Sequence, residues 1–75
     1  IDAEKATILM QEYVDTHPLL EGEVTDLRIL TTESCTQATG GNSCRIDVGF
    51  GLNGQYETGT CSYGFGKPAK CFGVP

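Results

Sequence analysis

Seventy-five residues with four cysteines, one histidine and no tryptophan make one small domain with a small core. Hydrophobic residues at 39% and charged residues at 20% give a globular composition and argue against a disordered or fibrous chain. Five Lys and Arg against ten Asp and Glu leave a formal charge of −5, which argues against binding nucleic acid through a phosphate-reading patch.

The first segment has helical periodicity. Asp2 is placed to cap it, and Ala3 to Thr16 contain neither Gly nor Pro. Ala6, Leu9, Met10, Tyr13, Val14 and His17 recur at three- and four-residue steps as one apolar stripe, with Ile8 off it. Pro18 disfavours helix at His17 and sets the end. Val24 to Thr32 then has strand character. Thr25, Leu27, Ile29 and Thr31 alternate with Val24, Asp26, Arg28 and Leu30, and neither side is cleanly apolar. The segment from Thr36 to Ser43, with Gly40 and Gly41, has the composition of a solvated loop and is a second candidate site.

Asn53-Gly54 is the strongest local signal, because a type I′ hairpin turn requires two residues that tolerate positive φ. Ile46, Val48, Phe50 and Leu52 alternate with Arg45, Asp47, Gly49 and Gly51 before it. A two-residue turn pairs Leu52 with Gln55, Phe50 with Glu57, Val48 with Gly59 and Ile46 with Cys61. The reverse face then carries Arg45, Asp47, Thr60 and Ser62 as a polar surface.

The cysteines, Cys35, Cys44, Cys61 and Cys71, lack the close pairs of a zinc site, and the only histidine is in another segment. Disulfides are therefore expected. The hairpin register puts Cys44 and Cys61 diagonally, too far apart for a bridge in a regular ladder. Cys35–Cys44 and Cys61–Cys71 are the preferred pairs, closing two Gly-rich loops, each removing about 2.7 kcal/mol of unfolded-state entropy. The expected fold is α+β: one N-terminal amphipathic helix packed on a three- to four-stranded antiparallel sheet, with two disulfides. Disulfides, and a chain opening at Ile1 without methionine, suggest a processed, secreted protein. No apolar run is long enough for a membrane-spanning helix.

Catalytic signals are weak. His17, beside a proline at a helix end, reads as a structural residue rather than a base, and a hydrolase built on it is the least favoured function. Gly64-Phe65-Gly66-Lys67-Pro68 lacks the spacing and following helix of a phosphate loop. No cofactor or metal is expected. Recognition is better supported: Tyr63, Phe65, Lys67, Lys70 and Phe72 set aromatics and cations among glycines, a composition suited to contacting a macromolecule. Of these, Tyr63 shares the apolar side of the hairpin with Cys61 and is also a core candidate.

A helix followed by an antiparallel sheet with two late, consecutive disulfides resembles the layout of cystatins and cathelicidin prodomains. The stretch Thr31-Thr32-Glu33-Ser34-Cys35 through Cys44 fits that layout. The Gln-x-Val-x-Gly loop with which cystatins enter a protease cleft is missing and the cysteine spacings differ, so no inhibitory residue carries over. The helix and small sheet are also similar to the soluble part of a pilin-type subunit, and the size and cysteine density to small fungal toxins and secreted effectors. The expected function is a secreted, non-catalytic protein that binds a protein or other macromolecule, as effector, toxin or inhibitor. The alternative is a self-associating structural subunit of an extracellular assembly.

Overall fold

A computed structural model describes residues 1–38 and 41–73 of the chain. Helix α1 (Ala3–Thr16) lies on an antiparallel sheet of five strands: β1 (Val24–Ile29), β2 (Ser34–Ala38), β3 (Gly41–Leu52), β4 (Gln55–Gly64) and β5 (Lys67–Gly73). The lateral order is β1-β3-β4-β5, and β2 pairs with β3 beyond the end of β1, along the same edge. No helix among the described residues is long and apolar enough to cross a membrane.

The helix forms as its sequence predicts. The Asp2 carboxylate accepts a hydrogen bond from the Lys5 backbone N–H at 2.8 Å, and the chain leaves the helix in an extended conformation at His17. Ala6, Leu9, Met10 and Val14 are buried against Val24, Leu27, Ile46, Val48, Phe50 and Leu52, while Ile8 is 51% exposed. The helix passes close over β4 at Gly59. A Cβ there would stand 2.6 Å from the flexible Met10 Cε and 2.7 Å from the Phe72 carbonyl oxygen, so glycine is needed chiefly for the close approach of the β5 backbone.

The β3–β4 hairpin keeps the expected register from Leu52↔Gln55 through Ile46↔Cys61, with Asn53 and Gly54 at φ 53° and 77°. β1 departs from simple alternation. Asp26 takes φ 51°, and the register with β3 shifts between Thr25 and Arg28. This bulge lets Val24 and Leu27, three residues apart, both face the helix, which is why neither set of alternating residues is cleanly apolar.

Two expectations are corrected. The sheet has five strands rather than three or four, because much of the expected loop from Thr36 to Ser43 belongs to a ladder. Thr36 pairs with Ser43 and Gln37 with Asn42; Thr39 and Gly40 lie outside the described residues. Loop-like composition arises there because this ladder has no buried face, so nothing demands apolar alternation. The disulfides Cys35–Cys44 and Cys61–Cys71 form as paired in the sequence reading. Each closes its loop by joining directly opposed residues of neighbouring strands.

Candidate binding surface

A strand sends successive side chains to opposite faces, so a cysteine and its two neighbours divide between them. All four cysteines sit in strands at directly opposed positions, with Cys61 and Cys71 pointing into the core under the helix. Their neighbours therefore project to the uncovered face: Ser34 and Thr36, Ser43 and Arg45, Thr60 and Ser62, Lys70 and Phe72. Seven of these eight, with Cys44, line a groove of about 510 Å³ that crosses four strands; the eighth, Lys70, lines a depression beside the helix instead. Phe72 is 46% exposed and presents a ring beside five hydroxyl side chains and the Arg45 guanidinium.

The same face continues toward the Asn53-Gly54 turn. There a second depression is lined by Arg28, Leu30 and Tyr56 among others, with Tyr56 68% and Leu30 50% exposed. The Tyr56 hydroxyl lies over Gly49, two pairs further along than the Gly51 it opposes. Between the two depressions Asp47 accepts a hydrogen bond from the Thr60 hydroxyl at 3.2 Å, as expected of this cross-strand pair. Asp47 and Asp26, the latter lining the second depression, are the carboxylates named on this face, against Arg28 and Arg45. The outer side of α1 is the reverse, with Glu12 and Asp15 beside Glu23 and the exposed Ile8.

The five residues expected to form the contact surface separate in space. Phe72 lies in the groove, whereas Lys70, also exposed, lines a separate depression beside the helix with Leu9, Glu12 and Tyr13. Phe65, 84% exposed, and Lys67 are at the far end of the β4–β5 hairpin, where the Phe65 Cβ packs within 3.7 Å of the position a Cβ on Gly41 would take. Tyr63 is not a core residue. It is half-buried on the opposite face, opposed to Cys44, with its hydroxyl donating to the Glu33 carboxylate. That bond favours the protonated phenol, and with some burial and the Glu33 charge it raises the Tyr63 pKa to about 12. Thr36 and Ser43 bound the second candidate segment of the sequence, whereas nothing there points to Ser34. The signal for them is the flanking rule itself: once both disulfides are cross-strand pairs, every cysteine neighbour belongs to the other face.

His17 is occupied locally. Its ring lies 5.4 Å from that of Tyr13, and its Nδ1 accepts from the Leu19 backbone N–H at 3.4 Å. Glu33, Cys35 and Cys44 lie within 4.8 Å of one another, but the two sulfurs are bonded to each other and only the carboxylate could serve as a metal ligand. Comparison with family models, with curated proteins and with solved structures finds no match to this chain.

Proposed function

We propose that this chain is a secreted, non-catalytic protein that binds a macromolecular partner through the uncovered face of its sheet, with the Arg45–Phe72 groove at the centre. The observation that carries the reading is the segregation of side chains. In a molecule of formal charge −5, one face collects Arg28, Arg45, Tyr56, Phe72 and a field of Ser and Thr hydroxyls, with only Asp26 and Asp47 as carboxylates among the residues named. Arg and aromatic residues are enriched at the centres of protein interfaces, where Lys, Glu and Asp are depleted. Two disulfides fit an oxidising compartment.

The test uses a photoactivatable side chain in place of Ser62 on the groove or in place of Glu12 on the helix, with the protein incubated in the extracellular fluid of its source. A discrete crosslinked product from position 62, competed by unlabelled wild type and lost in Arg45→Glu with Phe72→Ser, supports the reading. Crosslinking only from position 12, or the same yield in the double variant, contradicts it. Circular dichroism of the variant checks that the fold is kept.

A second reading, a self-associating subunit, is favoured by the acidic outer side of α1 and the exposed Arg45 in the groove on the other side of the same molecule. Front-to-back stacking of copies would join them in an open array. Sedimentation across a range of concentration and salt distinguishes the two: a monomer throughout rejects stacking, and salt-sensitive higher species support it.

A further inference from the structure

The two disulfides share one register geometry and differ in everything around them. Cys61 and Cys71 are 0% and 4% exposed, roofed by α1, with the Ala6 carbonyl oxygen 3.7 Å from Cys71 Sγ. Cys35 is exposed and Cys44 half-buried, at an end of the sheet that the helix does not reach. The strand that Cys35 staples, β2, packs against β3 and no other element. It supplies Ser34 and Thr36, one wall of the groove.

We infer that Cys35–Cys44 is a thiol-exchange site, and that its reduction by a small dithiol releases β2 and dismantles the groove while Cys61–Cys71 stays closed. One thiolate of the dithiol attacks a sulfur of the bridge, forming a mixed disulfide and expelling the other cysteine as a thiolate. The second thiol of the same reagent displaces the mixed disulfide. Two electrons pass to the protein, the reagent leaves as its cyclic disulfide, and its two protons end on Cys35 and Cys44. Access decides between the bridges, since a buried disulfide reacts only when the helix lifts. Glu33 acts as a brake. Its Oε1 stands 3.3 Å from Cys35 Sγ, where a negative charge repels an approaching thiolate and disfavours a departing one. Release of β2 does not depend on the identity of any partner.

The experiment is a time course of the intact wild-type chain in dithiothreitol near neutral pH, quenched with N-ethylmaleimide and mapped by peptide mass spectrometry. The expected result is alkylation at Cys35 and Cys44 about tenfold or more ahead of Cys61 and Cys71. Glu33→Gln is expected to speed the first pair severalfold and leave the second unmoved. Equal rates for the two bridges, or Cys61–Cys71 opening first, overturn the assignment, and an unchanged rate in Glu33→Gln overturns the brake. Amide spectra of the species alkylated only at Cys35 and Cys44 complete the test. Loss of the β2–β3 pairing signals with those of Val48 and Phe50 retained supports release, and a persistent β2 ladder contradicts it.

Discussion

The sheet has two ends built on one plan and stabilised by different physics. At both, a disulfide joins directly opposed residues of adjacent strands. At the covered end the helix buries Met10 and Val14 on Val48, Cys61 and their neighbours, so the bridge adds to an existing core. At the other end β2 and the opposing stretch of β3 have no buried residue among those whose burial is described, and a five-residue ladder is held by its hydrogen bonds, one bridge and the Tyr63–Glu33 contact. The cause is length. Twelve residues make β3 about 40 Å long, against about 21 Å for the fourteen-residue helix. A helix of this size roofs only part of such a strand. A short, two-sidedly wet ladder is marginal by itself, so a covalent staple does there what packing does under the helix.

This contrast can be broken by substitution, starting with the largest effect. Met10→Ala should cost about 2–5 kcal/mol by opening a cavity beneath the helix, read from urea unfolding. Gln37→Ala in the exposed ladder should stay within about 0.5 kcal/mol. Comparable losses would mean that the two ends share one core. Next come the bridges. Their loops are of similar length, so removing either gives up about the same 2.7 kcal/mol of loop entropy. Replacing Cys61 and Cys71 together by Ala also disturbs the core, and should lower the unfolding midpoint more than replacing Cys35 and Cys44.

Gly54→Val places a β-branched residue at φ 77° and should destabilise the hairpin that both ends share by about 1–2 kcal/mol. An unchanged melting temperature would reject the turn assignment. The smallest effect concerns Tyr63. Its pKa is raised to about 12, chiefly by the hydrogen bond to Glu33, from an ordinary value near 10. A raised folded pKa gives stability that is fully present below pH 10 and lost as pH climbs toward 12. Tyr63→Phe should therefore be slightly less stable than wild type at pH 8 and flatter between pH 10 and 12, by alkaline urea titration.

How much of this was legible in the sequence follows from what each segment must bury. The helix, its Asp2 cap and the Asn53-Gly54 hairpin were readable because local pattern and tertiary demand agree there. The hairpin register spoke only against Cys44–Cys61, and the observed pairing was preferred because it closes two short Gly-rich loops. β1 was only half readable, since a bulge at Asp26 is a non-glycine residue with positive φ that no spacing rule anticipates. β2 was read as loop because Ser34, Thr36 and Gln37 face water and carry no apolar alternation. The groove was missed for a related reason. Aromatics and cations drew attention to Tyr63 through Phe72, whereas the surface is assembled from cysteine neighbours on four strands, distant in sequence. Arg45, Thr60 and Ser62 were legible as one polar face, but Ser34 and Thr36 join them only once β2 is a strand.

The measurement that tests the division of the molecule most directly is native-state hydrogen exchange of the oxidised chain, residue by residue. Amides in the covered part, at Val48, Phe50 and Cys61, should exchange only through global unfolding. Those of the β2–β3 ladder should open at a free energy lower by about 2 kcal/mol or more. Uniform protection along the full length of β3 would contradict the account, because it would mean that the uncovered end is held as firmly as the core.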